Sequence, residues 1–485
     1  MIANFSLINT TKTTLGPASL CQYLISKGIE VNTLYVPKDN NELYNQNELS
    51  LIASEILDFD IIGFSSFTIS EERTLQLMRH IKMQYPNKHL ILGGPNVILD
   101  PERLLNEIGV DSVCIHEGEI PLENLVNKYL DGNYTDIDGL WFKKDGLIIK
   151  NPFQKPLQIL DDIPFIYYKK NYKRLTANGF IKETNLAETP DNPCMPNNSI
   201  YVMASRGCQF SCSYCINHTI NDINKKTNSK IIRKRSNRKL ISELYDIIKN
   251  EPNINAVFFF DDDFLIRSEA ELKGFECEYK NKINRPFYIF AHPNSTTKSK
   301  IDICYSAGLR SIEYGLQTVS SGILNKYERK DSSQMIIETL QYTKESGYNI
   351  TISIDFITNS PFETDADILE NINFILNLPG DFIVYVHNLH LFPGSKLRKQ
   401  FDCGTGNENK EYQNNIIEGK VFNEYFSKLL MAMQGYHTDS EPDKFGSLTR
   451  KEIYYFIETK TISYLENLTM LNNKITLTDV AAHYV

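Results

Sequence analysis

The sequence has few of the features that mark secreted, membrane or nucleic-acid-binding proteins. Its 485 residues include nine cysteines, an odd number, and six of the nine are scattered singly, so a disulfide framework is not expected. No apolar run approaches the ~20 residues that span a bilayer, and no basic segment followed by a long apolar run opens the chain. The formal net charge of −9 argues against broad nucleic-acid binding. We therefore expect a cytoplasmic protein that has no membrane span and binds no nucleic acid.

The length exceeds what one compact core supports, so we expect two or three domains. In residues 1–135, short apolar runs alternate with helical stretches, which predicts a doubly wound parallel sheet with helices on both faces. Such sheets bind ligands at the carboxyl ends of their strands, where glycine and serine allow close approach. At those ends the sequence places the candidate binding residues Ser65, Ser66, Gly93, Gly94, Pro95, Glu117 and Gly118.

The alternation stops over residues 136–195, which we predict to be a linker that contains a hairpin around Asp145–Gly146. It resumes over 196–398, where six strand–helix units predict an open, partial (β/α)6 barrel with its functional residues on the loops after the strands. Residues 399–485 are predicted to form a mostly helical C-terminal region and contain no recognisable motif.

Three cysteines lie close together directly after the first strand of the predicted barrel. Cys208, Cys212 and Cys215 have CxxxCxxC spacing. Three thiolates can hold three irons of a 4Fe–4S cluster and leave the fourth iron without a protein ligand. An iron with an open position can take part in chemistry. The alternatives are a zinc site that adds His218, or a set of structural thiols.

The spacing of the cysteines, with Tyr214 before the last of them, resembles the signature of the radical S-adenosylmethionine (SAM) family. Two further segments are similar to the same core. The run Asp261-Asp262-Asp263 resembles the position that receives the methionine amino group of SAM, although aspartate is also a common helix N-cap. Residues 311–318 resemble the ribose-contact segment, with Gln317 or Glu313 as its polar group, unless these are satisfied polar groups at a strand end.

Two later turns extend this resemblance. Residues 359–364, Asn-Ser-Pro-Phe-Glu-Thr, are similar to the Gly-x-Pro-Gly-Glu-Thr turn of the family. Asn359 and Phe362 replace the usual glycines, and asparagine tolerates a left-handed backbone, so we expect the turn to form. Phe392-Pro-Gly394-Ser395 resembles the closing loop of the barrel.

The N-terminal half resembles the cobalamin-binding domain that is often fused to this core. The similar segments are residues 15–20, 60–66, 92–96, 116–119 and 160–165. The loop Asn9–Thr14 lacks the histidine that ligates cobalt in many cobalamin proteins. The resemblance therefore implies that the base of the cofactor is displaced into the sheet domain, with no histidine on cobalt. The alternative is a domain that kept the fold and lost the cofactor.

Together these resemblances imply three cofactors, a 4Fe–4S cluster, SAM and cobalamin, and a flavodoxin- or ferredoxin-type electron donor. They imply radical abstraction of hydrogen and methyl transfer from cobalamin to an unactivated carbon of a natural-product or peptide substrate. The alternatives are a radical SAM cyclase, oxidase or rearrangement enzyme in which cobalamin is auxiliary or absent, and a non-catalytic cobalamin or cluster sensor. Methylthiolation of RNA is disfavoured because Cys21 and Cys114 are too few and too far apart for a second cluster.

A basic stretch, residues 233–239, precedes a predicted helix. Such a stretch could contact an anionic substrate or a reductase, but a run of charges more often forms a solvated face. We therefore predict that it lies at the surface.

Overall fold

The computed structural model describes residues 3–10, 15–38, 42–164, 172–176, 179–182, 198–378, 382–405, 429–430 and 433. The helices within them are α1 (Leu15–Ser26), α2 (Gln46–Ser54), α3 (Glu71–Gln84), α4 (Pro95–Leu99), α5 (Pro101–Asn106), α6 (Glu119–Lys128), α7 (Ile216–Lys226), α8 (Asn237–Asn250), α9 (Glu269–Lys282), α10 (Lys298–Ala307), α11 (Ser321–Lys326), α12 (Ser333–Glu345), α13 (Asp365–Leu376) and α14 (Lys396–Thr405). In these ranges no helix has both the length and the apolar character that crossing a membrane requires.

The strands fall into two large sheets and one short ribbon. They are β1 (Phe5–Asn9), β2 (Val31–Tyr35), β3 (Ile61–Ser65), β4 (His89–Gly93), β5 (Ser112–Cys114), β6 (Leu140–Lys144), β7 (Leu147–Lys150), β8 (Tyr172–Thr176), β9 (Gly179–Lys182), β10 (Ser199–Val202), β11 (Ser205–Arg206), β12 (Arg233–Lys234), β13 (Ala256–Phe259), β14 (Phe287–Ala291), β15 (Leu309–Gln317), β16 (Thr351–Thr358) and β17 (Ile383–Asn388).

The first sheet forms the N-terminal domain and has the order β7-β6-β5-β4-β3-β1-β2-β8-β9. Strands β1 to β5 are parallel, and β1 and β3 are buried along their whole length. One apolar core packs α1 and α6 on one face, with Leu24 and Leu125 at its centre, and a second packs α2 and α3 on the other, around Ile52 and Leu77. The predicted doubly wound parallel sheet is thereby confirmed.

The second sheet has six parallel strands in the order β10-β13-β14-β15-β16-β17. Its helices begin at side-chain caps, such as Ser236 before α8 and the Ser268–Glu271 capping box of α9. Residues of β15 alternate, so that Tyr314 packs in the core beneath the helices while its neighbours Glu313 and Gly315 line the interior of the barrel. The predicted partial (β/α)6 barrel is confirmed.

Segments predicted to be linker contribute strands to the edges of the first sheet. β6 and β7 form a hairpin that turns at Asp145–Gly146 and pairs with β5, while β8 pairs with β2. The predicted helical C-terminal region, 399–485, lies outside the described residues apart from the end of α14 and three later residues. The boundaries at 135/136, 195/196 and 398/399 stay predictions.

The two domains meet with the carboxyl ends of their parallel strands facing one another. Leu99 of the sheet domain packs with Ile216 and Phe392 of the barrel, and Leu15 and Ala18 pack near the barrel wall. Both sets of strand ends therefore open onto one shared space.

Candidate active site between the two domains

A cavity of about 430 Å³ lies between the domains. The sheet domain contributes apolar residues of β1, β3, β4 and α1, and the barrel contributes the loop with the three cysteines and inward-facing residues of β14 and β15. Cys208, Cys212 and Cys215 all line this cavity. The site is therefore formed by both domains together.

The loop that carries the cysteines is fixed by hydrogen bonds from α7. The side-chain amide of Asn221 donates to the carbonyl oxygens of Cys208 and Phe210, at 3.0 Å each. Gly207 has φ +93°, and a Cβ there would lie 1.9 Å from the carbonyl oxygen of Ile231. Because no other residue avoids that overlap, glycine is required immediately before Cys208.

Without metal, the thiols of Cys208 and Cys215 are protonated at neutral pH. Burial and the nearby Asp262 carboxylate raise the pKa of Cys208, and burial and Cys212 raise that of Cys215 to about 12. Bound iron would supply the positive charge that stabilises the thiolates.

The described residues contain no group of three His, Cys, Asp or Glu side chains that converges on one ion position. A 4Fe–4S cluster distributes its thiolates over separate irons, so its ligands do not meet at one point. His218, the fourth ligand of the alternative zinc site, lies with Nδ1 3.1 Å from the Ser211 carbonyl oxygen and Nε2 3.7 Å from Asp222. Three thiols along one cavity wall fit a cluster better than a single zinc ion.

The three aspartates after β13 have different environments. Asp261 accepts from the amides of Ala204 and Ser205 at 2.6 and 3.0 Å and pairs with Arg267 at 2.9 Å, so its carboxylate is held by the fold.

Asp262 lines the cavity beside Cys208 and Cys215, is exposed there, and accepts from Asn217 at 2.8 Å. Asp263 does not line the cavity. Its carboxylate accepts hydrogen bonds from the Leu265 amide and the Ser295 hydroxyl instead. Asp261 also lines the cavity, but its carboxylate is already paired with Arg267, so Asp262 is the candidate ligand contact among the three.

Arg329 is a cavity residue that the sequence did not indicate. Its guanidinium donates to the Tyr214 hydroxyl at 3.1 Å, to Asp331 at 2.7 Å and to the Gly315 carbonyl oxygen at 2.7 Å. Tyr214, predicted from its place before the last cysteine, thus lines the cavity and bonds this buried cation. No local motif surrounds Arg329, so only the fold reveals that it lies on this wall.

Glu313 and Gln317 both line the cavity, but at different depths along β15. Burial, the charge of Asp355 and a hydrogen bond to it raise the pKa of Glu313 well above its usual range, so Glu313 retains its proton. Gln317, at the end of the strand, has φ +71° and lies nearer the cysteine loop end of the barrel. Gln317 is therefore better placed than Glu313 for the predicted ribose contact.

The turn after β16 forms as the sequence predicted. Asn359 has φ +62°, in the left-handed region where the related turn has glycine. The amide of Ser360 donates to Glu363 at 3.0 Å, and Thr364 caps α13.

The cavity extends as an apolar slot into the sheet domain. Its walls are Leu7, Leu20, Gly63, Ile91, Cys114 and Leu122, together with Gly118. A Cβ on Gly118 would lie 3.2 Å from Leu20 and 3.4 Å from Leu122, and one on Gly63 would lie 2.9 Å from Phe5. Glycine at position 118 thus leaves room in this apolar slot, and glycine at position 63 is required by the close packing of Phe5.

The other residues predicted at the strand ends surround the mouth of this slot. Ser65, Gly93, Gly94, Pro95 and Glu117 line the cavity. Gly94 has φ +105°, and a Cβ there would lie 2.5 Å from the Ser66 carbonyl oxygen. Ser66 is not among the residues that line the cavity, because it is fully buried and its amide donates to Gly93.

An ion-pair network crosses the domain boundary beside the slot. Arg206 donates to Glu117 at 2.8 Å and to Glu119 at 2.7 Å, and Arg233 also pairs with Glu117. Burial would raise the pKa of Glu117, but the two arginines outweigh it and lower the pKa to about 2. The prediction that the basic stretch 233–239 lies at the surface is wrong for Arg233 and Arg235, which are both buried. Both arginines form hydrogen bonds with partners that are far away in the sequence.

Each of the two domains matches the model of a known protein family. Residues 202–375 match the family model of the Radical SAM superfamily, and residues 8–126 match that of the B12 binding domain. An uncharacterised methyltransferase of Pyrococcus horikoshii is 23% identical over 394 residues, which are 81% of this chain and 80% of that protein.

The cobalamin-dependent radical SAM methyltransferase TokK of Streptomyces tokunonensis is 22% identical over 357 residues, 71% of this chain and 49% of TokK. The solved structure of the cobalamin-dependent SAM radical enzyme OxsB, with aqua-cobalamin and SAM bound, superposes with a TM-score of 0.64 at 15% identity. The match covers 97% of this chain and 72% of OxsB. At this identity the likeness to OxsB establishes the fold.

Proposed function

Because the chain belongs to the radical SAM enzymes that carry an N-terminal cobalamin-binding domain, we propose that it methylates an unactivated carbon of a small-molecule or peptide substrate. One observation supports this proposal more strongly than the others. A single cavity connects the three cysteine thiols to the apolar slot of the sheet domain. A substrate held there would lie between a cluster site and a cobalamin site, as methyl transfer between them requires.

In this proposal Cys208, Cys212 and Cys215 hold three irons of the cluster, and the slot around Gly63 and Gly118 receives the displaced base of cobalamin. When bound, the cluster with SAM supplies hydrogen abstraction from a C–H bond, and cobalamin supplies the methyl group. The sheet domain packs against the barrel beside the cavity, at Leu99, Ile216 and Phe392, and so shields this side of the cavity from water.

The polar groups of the cavity suit the amino group and the ribose of SAM. Asp262, beside Cys208 and Cys215, is proposed to accept a hydrogen bond from the ammonium group. Arg329 lines the same cavity, but its guanidinium already pairs with Asp331 and donates to Tyr214, so we assign it the role of holding Tyr214 in place. Gln317 offers an amide to the ribose hydroxyls.

The remaining wall of the barrel sets limits on the substrate. Met203, Phe260 and Phe290 present apolar surface to the cavity, while Glu313 presents a protonated carboxyl group that is hydrogen-bonded to Asp355. This arrangement supports a substrate with an apolar body and at least one group that accepts or donates a hydrogen bond to a neutral carboxyl.

The first test is metal and cofactor content together with methyl uptake. The full chain is purified without oxygen, its cluster is rebuilt, hydroxocobalamin is added, and iron and cobalt are counted after desalting. We expect about four irons and one cobalt per chain. With a strong reductant and SAM labelled in its methyl group, label is expected on cobalamin even without substrate. A Cys212→Ala variant is the matched control that binds cobalt and lacks the complete cluster.

The outcomes separate the alternatives. Iron without cobalt would exclude methyl transfer from cobalamin and favour a radical SAM cyclase, oxidase or rearrangement enzyme. Both metals without any cleavage of SAM under strong reduction would favour a cobalamin or cluster sensor. Reduction by a flavodoxin or ferredoxin would identify the class of the electron donor.

A further inference from the structure

Two arginines face each other on the β11–β12 ribbon, whose first strand precedes the cysteine loop and whose second strand follows it. β11 and β12 are antiparallel, and Arg206 is the register partner of Arg233. The side chain of Arg233 is only 1% exposed and that of Arg206 16% exposed. Two like charges directly opposite on a ribbon repel each other, and burial strengthens the repulsion. The ribbon therefore needs a negative charge from another part of the chain.

Glu117 of the sheet domain supplies that charge. Its carboxylate accepts from Arg206 at 2.8 Å and from Arg233 at 2.9 Å, and the two arginines thus share one carboxylate. Glu119, at the start of α6, and Ser19 of α1 complete the contacts of Arg206, each within 2.8 Å. Two carboxylates of the sheet domain thereby balance two guanidinium groups of the barrel.

The ribbon is directly connected to the predicted cluster site. Arg206 precedes Gly207 and Cys208, and Gly207 packs against the backbone of Ile231, two residues before Arg233. On the other side, Glu117 and Gly118 line the cavity at the mouth of the apolar slot. The pair Glu117–Arg206 therefore lies between the site proposed for cobalamin and the site proposed for the cluster.

We propose that Glu117 is a positioning residue for the cluster, which fixes the cysteine loop by holding Arg206 and Arg233 together from the opposite domain. This inference rests on the proposed function, since it concerns the cluster that Cys208, Cys212 and Cys215 hold. Coupling between two sites is reciprocal. Because Glu117 lines the cavity at the mouth of the slot and also holds Arg206, we expect cobalamin in the slot to slow the loss of iron through Glu117.

The experiment compares iron loss from the rebuilt full chain in four forms. They are wild type, Glu117→Gln, the double variant Glu117→Gln/Arg233→Met, and the control Asp111→Asn. Asp111 also lies in the sheet domain and pairs with Lys82 at 2.7 Å, with 24% of its side chain exposed against 18% for Glu117, but it is not among the residues that line the cavity. Each form is exposed to an iron chelator, with and without hydroxocobalamin, and the reduced cluster is followed by its electron paramagnetic resonance spectrum.

We expect Glu117→Gln to lose iron on the order of tenfold faster than wild type and to show a broadened cluster spectrum, since one buried positive charge is left unbalanced. The double variant removes that excess charge and is expected to recover most of the loss. Asp111→Asn is expected to behave as wild type. Hydroxocobalamin is expected to slow iron loss in wild type and not in Glu117→Gln.

A purely steric role for Glu117 predicts a different result, because the double variant would then lose iron at least as fast as the single variant. That result, or equal iron loss from wild type and Glu117→Gln, would overturn this inference alone. Failure of wild type to take up a cluster at all would overturn the proposed function and this inference together.

Discussion

Gly394 lies against the carbonyl group of Leu99, so close that a Cβ on Gly394 would be 2.1 Å from the oxygen. Gly394 belongs to the closing loop of the barrel and Leu99 to α4 of the sheet domain. The contact thus joins the two domains at the edge of the shared cavity, and Phe392 and Ile216 pack beside it. Side chains at this point would force the domains apart.

Gly394→Ala is expected to destabilise the protein by more than the ~1 kcal/mol that a left-handed alanine costs elsewhere, because backbone atoms cannot move aside as a flexible side chain can. Gly347→Ala is the matched control, since Gly347 has φ +71° and a Cβ there meets nothing within 4 Å. Urea unfolding of the full chain measures both. Equal losses for the two variants would show that the contact between Gly394 and Leu99 is unimportant.

Gly118→Leu is expected to fill the apolar slot, because even a Cβ there reaches 3.2 Å from Leu20 and 3.6 Å from the Cys114 sulfur. The backbone of Gly118 has φ −94° and ψ −6°, which any residue adopts, so the fold should persist. The bound cobalt should fall at least about tenfold while iron is retained.

Gly16→Ala is the control that tests whether any methyl group added to the cavity wall lowers the bound cobalt. Gly16 also lines the cavity, but its Cβ would meet nothing within 4 Å. Cobalt content measured after desalting is expected to match wild type. Retention of cobalamin by Gly118→Leu would show that the base does not enter this slot.

Asp262→Asn and Asp261→Asn should fail in different ways. Asp262 faces the cavity, so its variant is expected to bind SAM about 10- to 100-fold more weakly, with little change in stability. Asp261 is buried with Arg267, so its variant is expected to lose about 3 kcal/mol or more of folding stability. Equilibrium dialysis of SAM with the rebuilt enzyme and urea unfolding distinguish the two. Weaker SAM binding by both variants at equal stability would contradict this division of roles.

The raised pKa of Asp263 predicts that the folding stability of the protein depends on pH. Burial raises the pKa of Asp263 to about 7, above the ~3.9 of an unfolded aspartate, so between these values the folded state binds more protons. Stability therefore falls as the pH rises from about 4 to 7. Asp263→Asn cannot ionise and keeps an oxygen for Leu265 and Ser295.

Between about pH 4 and 7, Asp263→Asn is thus expected to become more stable than wild type, by on the order of 4 kcal/mol at most at the upper end. Urea midpoints of the two metal-free proteins at several pH values give the difference directly. Parallel curves would show that Asp263 is already ionised in the folded protein.

The local pattern of the sequence predicts most of the fold. Alternating apolar runs and helical stretches predict both parallel sheets, since burial on both faces gives each central strand a continuous apolar run, as in β3. The strands β8 and β9 are absent from that prediction. They lie at the edge of the sheet, where half-exposed strands carry polar residues and the apolar signal is weak.

The site is predicted less completely because its partners are distant in the chain. Three adjacent aspartates look alike in the sequence, and only the fold shows that Asp261 meets Arg267 while Asp262 faces the cavity. Arg233 looks like part of a solvated basic run, yet its partner Glu117 lies 116 residues earlier. Such long-range pairings are set by the packing of the two domains and leave no local periodicity.

The shared wall of the cavity has an evolutionary consequence. Ile98 and Leu99 on one domain pack against Ile216, Ile220 and Phe392 on the other, so neither half can drift in sequence independently. Substitutions at these positions are expected to arise in compensating sets among descendants of this chain. In a chimera that takes its sheet domain from one lineage and its barrel from another, the apolar side chains of the two domains are therefore expected to pack poorly where the domains meet.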